Sequence, residues 1–327
     1  MKKFFTLIFL SLTFFSCENE RLIVLKGLIY GTTYNIQFYN NSNENYSEEI
    51  DSIFTVIDNS MSTYKSGSII SKINNNKDID VDYHFINVFN TSKKIYQKTN
   101  GRFDPSIGLL VNYWGFGPEK YTSHSDIKID HKIIPLFSRV GLDKFKIVDK
   151  RLKRPLDSYI DFNAIAKGYA VDEISNFLKS KKIVNYLVEI GGEINASGTN
   201  INKNKPWVVA IDMPRFDGDR SIYSTLELSN ISLASSGTYR KYKIDSSGNR
   251  YAHIIDPFSG YLSKTNILSV TVKAPSCIEA DAYATALHTM SIDEIKEFFK
   301  KNNEISSLVI FENGNNELEE LVLNNFY

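Results

Sequence analysis

The chain has 327 residues, with 38 Lys and Arg against 38 Asp and Glu, 42% hydrophobic and 13% aromatic residues, and two cysteines. That length holds one large domain or two medium ones with a substantial core. Balanced charge excludes the basic surplus of an electrostatic nucleic-acid binder, the aromatic content excludes a disordered chain, and two cysteines exclude a disulfide-dense scaffold.

At the N-terminus Met1-Lys2-Lys3 precedes an apolar run from Phe4 to Phe15, followed by Ser16-Cys17 and the polar residues Glu18, Asn19 and Glu20. Two lysines ahead of an apolar run are the layout of a secretory signal. The run is shorter than the about 20 residues a spanning helix needs. A small residue just before a cysteine at the end of such a segment has the form of a bacterial lipoprotein processing site. The expectation is a signal peptide at 1–16, a lipid on Cys17 and an exported domain at 17–327, with Cys277 the remaining thiol. A cleaved signal with an incidental cysteine is the alternative.

Arg21–Tyr39 alternates apolar and polar residues around Gly31 and predicts two strands. Ser47–Met61 places Ile50, Ile53, Phe54, Ile57 and Met61 at helical spacing. A second helix carries Phe85, Val88, Phe89, Ser92, Ile95 and Tyr96 on one face and stops at Asn100-Gly101. The polar stretch 118–134, which includes His124 and His131, reads as a surface loop or a seam. Further on, the pattern predicts a helix near Ile165–Lys181 and a strand at Ile183–Ile190 ending on Gly191-Gly192. Strands follow near Trp207–Asp212, Ser221–Leu228, Tyr239–Ile244, Arg250–Ile255 and Ser269–Lys273. Helices come next at about Asp281–Met290 and Asp293–Lys301, then a hairpin, Ser306–Phe311 and Leu318–Leu323, turning at Asn-Gly. This is the pattern of an α+β fold with mainly antiparallel sheets and packed helices. Neither Gly-x-Gly-x-x-Gly nor a Walker-type loop is present, which argues against a Rossmann or P-loop nucleotide site.

Three constellations carry the chemistry. In Glu279–Thr285, Asp281 and Thr285 stand four apart and share a helix face, offering two hard oxygens suited to Mg2+. An Asp at a helix start is also an ordinary N-cap, and Thr often bonds back into its own helix. In Tyr251–Gly260, Asp256-Pro257 is turn chemistry, and His253 can either accept a proton from a hydroxyl nucleophile or serve as a structural residue. In Asp161–Ala170, small residues around a helix start allow backbone amides near a phosphate, with Lys167 adding positive charge. Gly191-Gly192 and Ser235-Ser236-Gly237 permit the same close approach, and they also simply make turns.

Taken in order, Gly31–Tyr34, Met61–Tyr64, Phe103–Gly108 running into Tyr113–Gly117, Asp161–Ala170, Ile190–Gly192, Ala234–Gly237, His253–Pro257 and Ser269–Val272 followed by Ala280–Ala282 resemble the FAD:protein FMN transferases, the ApbE-type flavin transferases. The resemblance covers the chain after the signal, and it implies the fold and activity of that family. A Mg2+-dependent enzyme would cleave FAD, attach FMN through a phosphoester to a Thr or Ser of a target protein, and release AMP. Carried over by motif, Asp281 and Thr285 would hold Mg2+ by their side chains and Ala164 by its carbonyl. Tyr64 would pack on or near the flavin, and Tyr30, Arg102, Phe103, Asp104, Asp161, Lys167 and Ile255 would complete the FAD pocket. His253 would be the general base. Tyr30, Asn163 and Glu193 stand where the family more often carries Met, Gly and Asp. The resemblance also implies acceptor flavoprotein subunits of membrane redox complexes or exported reductases as partners. It implies attachment through the lipid at the periplasmic face of the inner membrane, and no nucleic acid. Two other readings use the same pocket: an FAD pyrophosphatase giving free FMN and AMP, and a non-catalytic FAD-binding lipoprotein.

Overall fold

The computed structural model describes residues 20–42, 44–118, 132–217, 219–239, 242–244, 250–263, 265–315 and 317–327. The signal segment 1–16, Cys17, most of the 118–134 stretch, His124 and His131 lie outside the described residues.

Arg21–Ile29 (β1) and Thr32–Asn40 (β2) pair around a two-residue turn, Tyr30-Gly31. Both turn residues have positive φ, 51° and 75°. That is the backbone pattern whose twist matches a hairpin. The remaining strands of the main sheet are Tyr186–Ile190 (β3), Glu193–Ser197 (β4), Ile231–Gly237 (β5), Ile267–Ala274 (β6), Ser306–Glu312 (β7) and Leu318–Leu323 (β8). All eight lie side by side in chain order, and every neighbouring pair is antiparallel. The α+β, mainly antiparallel expectation therefore holds.

The helices enter as insertions between strands: Ser47–Met61 (α1), Tyr83–Lys98 (α2) and Ala166–Ser180 (α3) between β2 and β3, and Cys277–His288 (α4) and Ile292–Phe299 (α5) between β6 and β7. One face of the sheet, including Ile36, Val188, Ile190, Val270 and Val272, packs against Ile57, Phe85, Ile174, Leu178 and Ala286 of the helices. The opposite face, through Leu187, Ile194, Leu233 and Leu308, is covered by a hairpin, Trp207–Asp212 with Ile222–Leu228. A third apolar cluster joins the short helix Gly108–Tyr113 to Tyr251, Ile255 and Leu262, and the Trp114 indole donates to the Gly260 carbonyl at 2.8 Å.

α2 ends as its sequence predicts. Asn100 (φ 49°) and Gly101 (φ 86°) donate to the carbonyls of Gln97 and Tyr96, closing a Schellman motif. The strand before Gly191-Gly192 ends at Ile190 as expected, though it starts at Tyr186 and not Ile183. The glycine pair is a two-residue turn into β4, a strand the sequence pattern does not predict, with Ile190 opposite Glu193. Two further expectations need correction. α4 begins at Cys277 and not near Asp281: Ser276 is its N-cap and Glu279 stands in its first turn, while burial on almost every side leaves no apolar periodicity to outline the helix. The last hairpin closes through a longer loop, with Asn313 N–H bonded to the Glu317 carbonyl at 2.9 Å.

Candidate active site

A cavity of about 1100 Å³ lies where these insertions meet. Its wall is made by the Tyr30-Gly31 turn, the end of α1, the 102–107 segment, the approach to α3, the end of β5, residues 253–255 and one stripe of α4. Every residue the sequence assigns to FAD, metal or proton transfer borders it: Tyr30, Tyr64, Arg102, Phe103, Asp104, Asp161, Ala164, Lys167, His253, Ile255, Asp281 and Thr285.

The oxygen-rich end is built where α3 and α4 cross. Gly168 N–H donates to Asp281 Oδ2 at 3.0 Å. A Cβ on Gly168 would sit 2.8 Å from Asp281 Cβ and collide with the Cys277 carbonyl, so only glycine allows the two helices this approach. Asp281 lies mid-helix and buried, which removes the capping role its position suggested. That role falls to Asp172 of α3, whose carboxylate accepts from Cys277 N and Ile278 N, each at 2.9 Å. Burial pushes Asp172 up to about 6 despite those two bonds. Thr285 follows Asp281 by one turn, and Ala164 lies in the turn before α3.

Among the described residues, no group of three or more His, Cys, Asp or Glu side chains gathers in metal-binding geometry. The donors at hand are one carboxylate, one hydroxyl and one carbonyl. This set fits Mg2+, which takes few protein ligands, keeps waters and accepts phosphate oxygens from a substrate. Beside it the Lys167 ammonium pairs with Glu193 at the start of β4. Burial opposes its charge, but Glu193 and Asp281 outweigh burial and hold the ammonium above its ordinary range.

At the other end, Tyr64 stands at the mouth, 63% exposed, with its hydroxyl 3.5 Å from the Phe116 carbonyl. Tyr30 holds its left-handed conformation while its hydroxyl donates to the Phe54 carbonyl of α1 at 2.9 Å. Phe103 is buried in the main core. Asp104 is pushed up to about 6 by burial, against hydrogen bonds from Ser106 N and Oγ at 2.8 and 2.6 Å. Asp161 accepts from Asn163 N at 2.8 Å and from its side-chain amide at 3.2 Å. Arg102 borders the cavity, but its guanidinium is engaged by the Thr289 carbonyl, Asp256 and Glu294, and it stacks on Phe258 at 4.6 Å. It ties the 256–258 turn to the start of α5.

His253 follows the strand Arg250–Ala252, and its ring meets Phe116 edge-on at 6.2 Å.

The model of the ApbE family matches residues 30–309. The chain belongs to the ApbE family. A FAD:protein FMN transferase of Haemophilus influenzae is 35% identical over 316 residues, covering 92% of this chain and 90% of its own length. One of Escherichia coli K12 is 31% identical over 262 residues, 78% of this chain and 73% of its own. Among solved structures, the flavin transferase ApbE of Vibrio cholerae superposes with a TM-score of 0.83 at 31% identity, covering 94% of this chain and 98% of that one. The flavinyl transferase ApbE of Pseudomonas stutzeri gives 0.84 at 26% identity, with 95% and 97% covered.

In this ApbE chain three cavity features escaped sequence reasoning. Glu193 was seen only as a departure after the glycine pair, although a charged residue opening a strand next to a cavity glycine is a usable signal. Ser236 belongs to a Ser-Ser-Gly run that the sequence marks for close backbone approach or a turn, with nothing to single out its hydroxyl. His288, buried behind the cavity wall at the end of α4, carries no local motif.

Proposed function

We propose that this chain is a Mg2+-dependent transferase that splits FAD at its pyrophosphate and joins FMN through a phosphoester to a Thr or Ser of an acceptor protein, releasing AMP. The observation that carries the reading is the convergence, in one cavity, of a hard-oxygen set, a lysine ammonium and a histidine beside an open aromatic mouth. Phosphoryl-type transfer depends mainly on positioning and on neutralising charge, and these residues supply both.

Asp281, Thr285 and the Ala164 carbonyl are the groups that would hold Mg2+, which supplies positive charge at the pyrophosphate when bound. Lys167 adds a fixed cation, and its pairing with Glu193 keeps that ammonium in place. His253 accepts the proton of the incoming hydroxyl as that oxygen bonds to the phosphorus of the FMN half and the bond to AMP breaks. Tyr64 at the mouth offers an aromatic face to the isoalloxazine. The acceptor supplies the nucleophile, so the cavity requires no Ser or Cys of its own for attack.

Export and anchoring belong to the same proposal. The signal-like segment 1–16 would be removed and Cys17 lipidated, placing the domain on the periplasmic face of the inner membrane, where flavoprotein subunits of redox complexes or exported reductases would be its acceptors. Among the described residues, no helix is long and apolar enough to cross a membrane.

Product analysis tests the reading. With FAD, Mg2+ and an apo flavoprotein subunit, AMP should appear in step with acceptor consumed, and His253→Ala should lower kcat by about 10²–10⁴-fold while FAD still binds. Free FMN and AMP released at the same rate with no acceptor present would instead make the enzyme a pyrophosphatase.

A further inference from the structure

The orientation of one hydroxyl in the cavity wall is set from behind. Ser236, near the end of β5, lines the cavity, and His288, the last residue of α4, lies wholly buried beneath it. His288 Nε2 is 3.1 Å from the carbonyl oxygen of Ile267, and Nδ1 is 3.3 Å from Ser236 Oγ. A carbonyl only accepts, so Nε2 carries the ring hydrogen. Burial disfavours a second proton and lowers the ring to about 4, so Nδ1 presents a lone pair at neutral pH. The Ser236 main chain also acts on the ring and favours its proton, but the group at hydrogen-bond distance from Nδ1 that can donate to a lone pair is the Ser236 hydroxyl. Its oxygen is then left as an acceptor toward the cavity.

We propose that Ser236 is a dedicated hydrogen-bond acceptor for a hydroxyl of the reacting molecules, and that His288 is the residue that positions it. The proposal rests on the flavin-transfer reading of this cavity. Asp281, Thr285 and His288 recur four and three residues apart along α4, so one helix stripe carries both the oxygen ligands and the support for Ser236. His253 is near enough for its charge to disfavour protonation of His288. Ser236 thus belongs to the part of the cavity where phosphoryl transfer takes place. The hydrogen-bearing groups of the reactants next to the pyrophosphate are hydroxyls, on the ribityl chain or the adenosine ribose of FAD or on the acceptor Thr or Ser. A freely rotating serine would bind a hydroxyl or a phosphate oxygen equally well. With its hydrogen committed to His288, Ser236 attracts the hydroxyl and repels the phosphate oxygen, which keeps the pyrophosphate over the Asp281–Thr285 stripe.

The test compares wild type, Ser236→Ala, His288→Phe, His288→Asn and the Ser236→Ala/His288→Phe double variant. FAD affinity is read by flavin fluorescence in EDTA without acceptor, and kcat and acceptor KM are read with Mg2+. Ser236→Ala should weaken one of the two bindings by about three- to tenfold, the usual effect of a lost neutral hydrogen bond. A loss in FAD affinity assigns the contact to a hydroxyl of FAD, and a loss confined to acceptor KM assigns it to the incoming hydroxyl. His288→Phe should reproduce the Ser236→Ala loss, the double variant should be no worse, and His288→Asn, which restores an acceptor, should recover part of it. Ser236→Ala indistinguishable from wild type in both bindings overturns the proposal, as do losses that multiply in the double variant. If His288→Phe does not fold, Ser236→Ala alone decides. A wild-type chain that binds no FAD overturns the flavin-transfer reading itself, a result separate from active wild type with unchanged variants.

Discussion

Asp281 meets two demands at once: one carboxylate oxygen receives the Gly168 amide, and the side chain faces the cavity with Thr285 one turn away. It is the only carboxylate in the proposed ligand set. Asp281→Asn should therefore lower transfer by about 10²–10³-fold, the equivalent of the several kcal/mol a metal contributes at a phosphoryl oxygen. The loss should appear as weakened Mg2+ dependence in a metal titration, while FAD affinity in EDTA changes little. His288 makes a prediction about stability. Its folded value of about 4 lies below the ordinary 6.5, so the unfolded chain binds the proton first as pH falls. The stability it preserves is present above about pH 6.5 and is lost between there and pH 4. Asp104 and Asp172, raised to about 6 from 3.8, act in the opposite sense: the stability they add is fullest below pH 3.8 and is lost as pH rises through about 6. His288 therefore offsets part of the opposite pH dependence of the two carboxylates on the acid side. Replacing His288 by Phe removes one arm of that balance, so the substitution should cost less at pH 4.5 than at pH 7, by about 2–3 kcal/mol in urea unfolding.

The α3–α4 crossing is the element on which the site depends. Gly168→Ala places a methyl group against the Cys277 carbonyl and Asp281 Cβ, both on rigid elements, so the helices must part. Overpacking of this kind costs about 1–3 kcal/mol, readable as a lower Tm, and activity should fall further than stability because Asp281 moves with α4. Asp172→Ala removes the acceptor for two amides at the start of α4 and should cost about 1–2 kcal/mol in denaturant unfolding. These two helices also show what the sequence could and could not reveal. α1, α2 and α3 were legible because each has one buried face, so their apolar residues recur at helical spacing. α4 is buried around most of its circumference, with one stripe facing the cavity, so its apolar residues show no helical periodicity. β4 was lost because a glycine pair marks both a strand end and a tight hairpin, and only the pairing of Ile190 with Glu193 distinguishes them.

For the whole molecule, the sheet keeps chain order from β1 to β8, and the cavity is formed by what is inserted between neighbouring strands. Ordered motifs made most of the cavity lining legible in advance, because each motif occupies its own turn or helix start. Pairings across long separations were not legible: Lys167 meets Glu193 26 residues away, and Ser236 meets His288 52 residues away, with no local pattern linking them. The balanced overall charge takes on meaning at this scale. In the proposed reaction an anionic dinucleotide would be met by Lys167, backbone amides and a divalent cation inside one cavity, so a basic exterior is unnecessary. Intact-mass measurement of an apo flavoprotein subunit, incubated with the enzyme, FAD and Mg2+, tests this account most directly. A covalent FMN adduct on a Thr or Ser of that subunit, absent with EDTA and formed far more slowly with Asp281→Asn, is the predicted result. An unmodified subunit beside FAD fully converted to free FMN and AMP would contradict it.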